Sequence, residues 1–415
     1  MEPPAPSILR VAPGPCALPG GMRDLLPEEA LGRRYLARAV REVFASHGYR
    51  PVLLPAYELE EVVTRGLGPG AQGELLRFLD PESGEVLVLR PDMTPQVARL
   101  VASRLKGLPP PVRLSYEGSV VRRTRGRTRR HRQLAQAGIE CLGHPRPEAD
   151  AEVLVTMARA LRAAGLGAFT VELSHARLVT ACLEAVPEGL REPVADALGA
   201  RDEAVWRALL RGHPEASGGL SRLASLAGDR AVLAEARRAL PEALHPALET
   251  LETIAGAALL REPSLDLRVD LGEARGQGYY TGALFQFLVE GAGEPVATGG
   301  RYDDLLGRYG HPLAATGSAL RLDVLEGCLG AREAPGGERR ALVWGASPAR
   351  GALADRLRAS GLEVAELDTL DEATARGYAR AHGIARVESS WGATIAAEKG
   401  AEDASVGGGR SPVGG

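Results

Sequence analysis

Apolar residues recur at helical spacing near the start of the chain. The pattern begins at Leu31 and Tyr35 and continues through Leu36, Val40, Val43 and Phe44. Pro27 and two acidic residues precede it and Gly48 follows it, which is typical of the two ends of a helix. The pattern therefore predicts an amphipathic helix between Pro27 and Gly48.

Short apolar runs between turn residues predict the strands of a sheet. In chain order these runs are Pro51–Leu54, Glu85–Leu89, Val112–Val121, Gln133–Gly143, Phe169–Leu173, Leu265–Leu271 and Tyr279–Val289. Helical patterns lie between these strands at Pro95–Leu105 and Glu148–Gly165, and another follows them at Leu320–Leu329. Because the segment Arg122–Arg132 joins two long strands, we expect an antiparallel hairpin with a basic loop.

Changes in periodicity along the chain divide it into regions. From about residue 176 to 260, Ala, Leu, Arg and Glu dominate, which predicts a helical insertion. After a linker at 331–339, strands and helices alternate over 340–393, so we expect a small α/β domain with a parallel sheet. We expect residues 1–18 to form an N-terminal arm, 19–330 a core domain, and 394–415 a disordered Gly-rich tail.

Alternation in the second strand of the hairpin places polar side chains together. Gln136, Gly138 and Glu140 share one face, and the apolar residues between them occupy the other. A Gln and a Glu on one face indicate either the floor of a polar pocket or the solvated face of an antiparallel sheet. The hairpin alone leaves both interpretations open.

Composition restricts the chemistry of any anion site. Of 50 basic residues, only Lys106 and Lys399 are lysines, and no Gly-Lys-Ser/Thr step is present. This excludes a P-loop, and a lysine Schiff base is nearly excluded as well, since Lys399 lies in the Gly-rich tail. Phosphate or carboxylate would have to be bound by arginine, whose planar group favours two-point contacts.

Charge and cysteine usage narrow the class of protein further. The net charge is −3 over 415 residues, with 45% apolar content, as in a globular protein rather than a polycation. The chain has no run of 18 apolar residues and no signal-peptide pattern, so we expect a cytoplasmic protein without a membrane span. Its four cysteines are widely spaced, which favours free thiols over zinc or disulfides.

Six short motifs appear in a fixed order. They are Gly21–Pro27 (GMRDLLP), Leu89–Thr94 (LRPDMT), Gln136–Glu140 (QAGIE), Arg275–Gly282 (RGQGYYTG), Gly299–Asp303 (GGRYD) and Thr316–Ala319 (TGSA). Together they resemble the catalytic module of histidyl-tRNA synthetase, a class II aminoacyl-tRNA synthetase, over roughly residues 19–330. The resemblance implies an α+β fold with a six- or seven-stranded antiparallel sheet, flanking helices and a histidine pocket on the polar face.

The resemblance also implies a role for each pocket residue. Arg122 and Gln136 would hold the ligand carboxylate, and Asp92 and Thr94 the ammonium group. The two imidazole nitrogens would be bound by Glu140 together with Tyr280 or Tyr279. Arg275 resembles the second catalytic arginine of the family. These eight positions form the predicted histidine-binding set, and we expect no catalytic residues, cofactor or metal.

Several positions depart from the synthetase pattern. Thr124 stands where the synthetases have an adenine-binding glutamate, and Val324 stands where a third-motif arginine contacts ATP. An aliphatic side chain can neither neutralise phosphate nor stack as a cation. The R-P-E-G-T loop of the synthetases reads RPDMT here, and about 55 C-terminal residues are too few for a complete anticodon-binding domain of that family. The histidine-holding positions thus remain while the ATP-holding ones are lost.

The RPDMT segment resembles the corresponding segment of synthetase paralogues that serve as regulatory subunits of ATP phosphoribosyltransferase. That transferase is the first enzyme of histidine biosynthesis. This resemblance implies a non-catalytic subunit that activates the short-form transferase and takes part in feedback inhibition by L-histidine. The implied assembly is a homodimer within a hetero-oligomer. A working histidine–tRNA ligase and a free-standing histidine sensor are the alternatives.

The basic loop has its own alternatives. Seven arginines lie within Val121–Arg132, namely Arg122, Arg123, Arg125, Arg127, Arg129, Arg130 and Arg132. They fit a solvated loop, or a contact with the transferase or its anionic substrates. Binding of tRNA is the weaker interpretation, because no aromatic residue interleaves the arginines to stack on bases.

Overall fold

A mixed nine-stranded sheet forms the centre of the larger part of the protein. In the computed structural model, residues 17–67, 73–123, 131–274, 279–330 and 339–396 are described. The chain divides into two compact units, Met1–Ala331 and Arg332–Gly415. We describe each unit by itself, because the candidate site lies entirely within the first.

The strands of the first unit belong to two sheets. In chain order they are β1 (Arg50–Pro51), β2 (Tyr57–Leu59), β3 (Leu76–Leu79), β4 (Val86–Leu89), β5 (Val112–Val121), β6 (Gln133–Leu142), β7 (Thr170–His175), β8 (Ala227–Gly228), β9 (Asp266–Asp270), β10 (Ala283–Leu288), β11 (Ala297–Arg301) and β12 (Ala315–Arg321). The large sheet has the order β1-β5-β6-β12-β11-β10-β7-β9-β8, and the small one β2-β4-β3.

Helices cover the sheet and form the insertion. They are α1 (Pro27–Ser46), α2 (Glu60–Gly66), α3 (Thr94–Arg104), α4 (Pro147–Ala163), α5 (Ala176–Glu184), α6 (Glu188–Gly199), α7 (Glu203–Leu209), α8 (Pro214–Ser225), α9 (Val232–Ala239), α10 (His245–Arg261), α11 (Asp304–Gly307) and α12 (Leu322–Leu329). A 3-10 turn at Glu242–Leu244 precedes α10. Among the described residues, none of the helices is long and apolar enough to cross a bilayer.

The main core lies where α1 and α4 pack on the sheet. Leu36, Val40 and Phe44 of α1 are buried, as the helical spacing predicts. Leu154 and Met157 of α4 are both fully buried in the same cluster. Removing one such side chain from water contributes about 1.5–3 kcal/mol, so these two helices hold one face of the sheet rigidly. The opposite face is thereby left to carry polar side chains.

The large sheet has more strands than the six or seven predicted. The two additional strands, β1 and β8, are two-residue strands at its edges. β1 pairs parallel with β5, and β7 pairs parallel with β9, so the sheet is mixed rather than wholly antiparallel. Two-residue edge strands have too little apolar alternation to be recognised in a sequence.

Other boundaries differ from the expected ones. Strand β10 begins at Ala283 rather than Tyr279, and α12 begins at Leu322 rather than Leu320. The run Pro51–Leu54 forms a strand only at its first residue, although Val52 still donates to the carbonyl of Ser115 at 2.8 Å. Strand β4 of the small sheet confirms the predicted strand Glu85–Leu89, whereas β2, β3 and the seven-residue helix α2 were missed because they are short.

The described part of the second unit contains a four-stranded sheet and two helices. Its elements are β13 (Arg340–Trp344), α13 (Ala349–Ala359), β14 (Glu363–Leu367), α14 (Glu372–Ala381), β15 (Arg386–Ser389) and β16 (Thr394–Ala396). The strand order is β14-β13-β15-β16. The strands β14, β13 and β15 are parallel, as the alternating pattern predicts. The added strand β16 is antiparallel to β15 and extends past the predicted end of the α/β region.

Candidate functional site

A cavity of about 220 Å³ opens on the polar face of the large sheet. Strands β6, β12 and β11 form its floor, and residues from the loops before α3 and β10 form its walls. The lining side chains are Asp92, Thr94, Val120, Arg122, Gln136, Tyr279, Tyr280, Glu294, Pro295, Thr298, Tyr302, Gly317, Ser318, Ala319 and Arg321. Six of the eight predicted histidine-binding residues are therefore brought together in one cavity. Glu140 lies beneath it, and Arg275 lies outside the described residues.

Glu140 is buried below the cavity floor and is bound by hydroxyl groups. It is 1% exposed. Thr94 donates to its Oε1 at 2.7 Å and Tyr116 to the same atom at 3.2 Å, and Tyr302 donates to Oε2. Burial raises the pKa of Glu140 to about 8, although the hydroxyl donors oppose that shift. The hydroxyl groups that bind Glu140 thus come from Thr94, Tyr116 and Tyr302.

A close packing of backbone makes this arrangement possible. Gly317 of β12 lies directly opposite Glu140 of β6. A Cβ atom at Gly317 would collide with the carboxylate of Glu140. The glycine of the TGSA motif is therefore required where the buried carboxylate passes under the neighbouring strand.

Asp92 organises the polar end of the cavity. Its Oδ1 accepts from the backbone N–H groups of Met93 and Thr94 at 2.7 and 3.3 Å, and from Gln136 Nε2 at 3.3 Å. Its Oδ2 lies 3.7 Å from Arg122 Nη2. The backbone also fixes the position of Arg122, because its Nε donates to the carbonyl of Pro91 at 2.6 Å. An acid, a guanidinium and an amide thus converge, as recognition of a zwitterion requires.

Two polar atoms in the cavity wall have no partner. The hydroxyl of Tyr279 and Oε1 of Gln136 are buried without a hydrogen bond among the described residues. Buried polar groups are nearly always hydrogen-bonded, because an unpaired one costs free energy. Both residues line the cavity. Both atoms are therefore available to hydrogen-bond with a polar ligand in this space.

Three tyrosines form the apolar wall of the cavity. The rings of Tyr279 and Tyr280 meet edge to face with centroids 5.0 Å apart, and Tyr279 lies 5.5 Å from Tyr302. Burial raises the pKa of Tyr279 and Tyr280, so both hydroxyls stay protonated and can donate. A flat ring with polar atoms at its edge would fit against this wall.

Arg321 and Glu294 were not recognised as site residues in the sequence. Arg321 ends β12 opposite Gln136. Its guanidinium contacts Glu294 at 3.0 Å and Asp323 at 2.7 Å. Burial opposes its charge, but these two carboxylates raise its pKa above the ordinary value. The sequence signal that could have drawn attention to Arg321 is its position two residues after the TGSA motif.

A second acidic cluster lies farther along the same face of the sheet. Glu172, Asp270 and Glu273 lie close enough together to hold a metal ion. The guanidinium of Arg201 contacts all three carboxylates, at 2.9, 2.9 and 3.3 Å. Gln286 donates to both Glu172 and Glu273. Arg201, which belongs to the insertion, offsets one of the three negative charges and links the insertion to the sheet.

The positions that depart from the synthetase pattern are only partly described. Val324 is half-buried on α12 and packs against the main core. Thr124 and the segment 124–130, with four of the seven loop arginines, lie outside the described residues. Arg123 is exposed and donates to the carbonyl of Gly73 at 3.4 Å.

Comparison with known proteins agrees with the resemblance in the motifs. A family model described as histidyl-tRNA synthetase matches residues 21–325. The crystal structure of an ATP phosphoribosyltransferase regulatory subunit/histidyl-tRNA synthetase from Bacillus halodurans C superposes with a TM-score of 0.78 and 30% identity, covering 91% of this chain and 98% of that one. These matches confirm the predicted class II synthetase-like fold.

Two curated relatives carry the name ATP phosphoribosyltransferase regulatory subunit. The one from Anaeromyxobacter sp. (strain K) is 44% identical over 315 residues, which is 74% of this chain and 89% of the relative. The one from Symbiobacterium thermophilum is 38% identical over 394 residues, which is 89% of this chain and 96% of the relative. The chain therefore belongs to the histidyl-tRNA synthetase family and, within it, to the group of ATP phosphoribosyltransferase regulatory subunits.

Proposed function

We propose that this chain is a non-catalytic regulatory subunit of a short-form ATP phosphoribosyltransferase, and that its cavity binds L-histidine as the effector. The observation that carries the ligand is a pair of polar atoms without a partner among the described residues, on Tyr279 and Gln136, in a cavity that already contains two acids and two guanidinium groups. The names of the relatives support the partner and the pathway.

Each end of a histidine molecule finds a matching group in the cavity. Arg122 and Gln136 hold the carboxylate, and Asp92 with Thr94 holds the ammonium group. The imidazole lies against Tyr279 and Tyr280, above the buried Glu140 and its hydroxyls. Arg275 would complete the set from the segment that precedes Tyr279.

Balanced charge supports an amino-acid ligand rather than a nucleotide. The lining carries Asp92 and Glu294 against Arg122 and Arg321. Both arginines already contact carboxylates, at 3.7 Å for Arg122 and 3.0 Å for Arg321. A polyphosphate would bring several negative charges beside these acids, whereas a zwitterion adds no net charge. Val324 cannot supply a positive charge for the phosphates, because its side chain is aliphatic and packs against the core.

We expect the protein to form no histidyl-adenylate. Loss of one charged contact to the reacting phosphates typically costs about 3 kcal/mol or more of transition-state stabilisation. Histidine-dependent exchange of pyrophosphate into ATP measures the reaction directly. A rate close to that of an authentic histidyl-tRNA synthetase would favour the ligase alternative instead.

The partnership is tested by mixing the chain with a short ATP phosphoribosyltransferase. We expect the two to co-elute, the transferase rate to rise on mixing, and histidine to inhibit the mixture more strongly than the transferase alone. An effector changes the equilibrium of a complex only through its different affinities for two states. Separate elution with an unchanged rate would instead favour a free-standing histidine sensor.

Calorimetry with variants tests the site in the same preparation. Arg122→Ala should weaken histidine binding by about 1.5–3 kcal/mol, as expected for a charge-assisted hydrogen bond. The neighbouring Arg123→Ala provides a matched control, since Arg123 is exposed and does not line the cavity. Equal affinity in both variants would place histidine elsewhere.

The proposed assembly is a homodimer within a hetero-oligomer, in the cytoplasm. Large apolar side chains around the small sheet support a surface that is covered in the assembly: Leu53 is 95% exposed and Tyr57 52% exposed. Tyr57 also stacks edge to face on Phe78, which is itself partly exposed. The free thiols of Cys141, Cys182 and Cys328 support a reducing compartment.

A further inference from the structure

Arg321 stands between two carboxylates at one end of the cavity. Its Nε and Nη2 donate to the two oxygens of Asp323 at 3.0 and 2.7 Å, a two-point contact. Its Nη1 and Nη2 also donate to Glu294, at 3.0 and 3.4 Å. Arg321 and Glu294 both line the cavity, whereas Asp323 does not.

The two carboxylates hold Arg321 with unequal strength. Asp323 lies two residues away and is 18% exposed, so its fork-like contact is well shielded. Glu294 is 40% exposed and belongs to the connection between β10 and β11. Solvent screening weakens exposed ion pairs, and ordering a long side chain offsets what remains. Glu294 is therefore the exchangeable partner of Arg321, and Asp323 is the permanent one.

A ligand carboxylate can replace Glu294 as a partner of the Arg321 guanidinium. Arg321 and Gln136 lie directly opposite each other on β12 and β6. Side chains in such a cross-strand pair lie close together. The amide nitrogen of Gln136 donates one hydrogen to Asp92 and has a second for a ligand carboxylate, whereas its Oε1, unpartnered among the described residues, can accept from the ligand ammonium group. The carboxylate of an amino acid held at this end would thus meet the guanidinium edge that Glu294 occupies.

We propose that the ligand carboxylate displaces Glu294 from Arg321 and so reports ligand binding to the protein surface. This rests on the proposed function, in which the cavity binds an amino-acid effector. Asp323 keeps the guanidinium in position during the exchange. The released Glu294 loosens the connection between β10 and β11, which presents the bound state to a partner.

The change is confined to that connection. The backbone N–H of Arg321 donates to the carbonyl of Val296 at 2.8 Å. Beyond Val296, β11 pairs on both sides with β10 and β12. Residues 289–295 lie between the two strands, outside the paired backbone, and include the exposed Glu290 and Gly291. They are the part of the cavity wall that can respond without disturbing the sheet.

The experiment compares Glu294→Gln with Glu290→Gln, which removes the same charge from the same connection. Calorimetry measures the affinity of each variant and of the wild type for L-histidine and for L-histidinol, in which a hydroxymethyl group replaces the carboxylate. Glu294→Gln should bind histidine about three- to tenfold more tightly, because the competing carboxylate is gone. Its affinity for histidinol should equal that of the wild type.

Hydrogen exchange provides the second readout. Adding histidine should accelerate exchange of the 289–295 amides in the wild type and in Glu290→Gln. In Glu294→Gln these amides should exchange fast already and should not respond. Equal histidine affinity in wild type and Glu294→Gln, or a gain of the same size for histidinol, would overturn the proposed displacement of Glu294. Either result would leave the proposed function intact. Absence of histidine binding by the wild type would overturn the proposed function itself.

Discussion

Burial of Glu140 opposes the ionisation of its carboxyl group. The carboxyl group is 1% exposed, and its hydrogen bonds come only from hydroxyl groups among the described residues. Three neutral donors offset part of the cost of burying a charge, but they supply no countercharge. Burial therefore raises the pKa of Glu140 to about 8. Near neutral pH the folded protein keeps a proton that the unfolded chain has released.

This proton makes stability depend on pH in a defined direction. The unfolded group loses its proton near 4.5 and the folded group near 8. Between these values the folded state binds more protons, so a rise in pH lowers the free energy of unfolding by about 1.4 kcal/mol per pH unit from this group. Glu140→Gln should remove that slope. Urea unfolding at pH 5, 6, 7 and 8 measures it, with the exposed Glu290→Gln as control. Parallel stability curves for Glu140→Gln and the wild type would refute the shift.

At the scale of elements, a buried ion pair joins α4 to β11. Arg301 is 7% exposed and Asp150 0% exposed. The guanidinium donates to Asp150 Oδ2 at 2.7 and 3.0 Å and to the carbonyls of His144 and Arg146 before α4. The carbonyl of Arg301 accepts from Thr281 at 2.8 Å, next to the tyrosines of the cavity. The pair thus fixes both the helix and one wall of the site.

Removing one partner of this pair leaves an uncompensated charge in the interior. We expect Asp150→Ala to lower the free energy of unfolding by about 3–5 kcal/mol. An exposed pair gives the contrast: Arg207 contacts Glu203 at 2.7 Å, with side chains 51% and 66% exposed. Glu203→Ala should cost no more than about 0.5 kcal/mol. Denaturant titration of both variants measures the two losses in the free energy of unfolding. Equal losses would mean that Arg301 is solvated.

At the scale of the whole molecule, the cavity belongs to one unit. All its lining residues fall between Asp92 and Arg321, within Met1–Ala331. We therefore expect a chain ending at Ala331 to bind histidine with the affinity of the full chain. Calorimetry on the two lengths tests this, with circular dichroism to show that the shorter chain is folded. Folded protein that has lost histidine binding would show that Arg332–Gly415 contributes to the site.

Much of the architecture follows from local pattern. The amphipathic helix after Pro27, the hairpin strands Val112–Val121 and Gln133–Gly143, and the alternating C-terminal elements were predicted from spacing and turn residues. These features depend on periods of 3.6 and 2, which neighbouring residues express without help from the rest of the chain. The shared face of Gln136 and Glu140 is such a feature, and the motifs added the tyrosines opposite it.

The partners of those residues depend on strand order and register, which local pattern does not encode. Tyr302 donates to Glu140 across 162 positions of sequence, because only β12 separates β6 from β11, which ends at the residue before Tyr302. The same register places Arg321 beside Gln136 and requires a glycine at position 317. The sequence therefore specifies the elements, their faces and the family of the chain. The folded structure selects which side chains meet, because contacts between distant segments form only when the whole sheet is assembled.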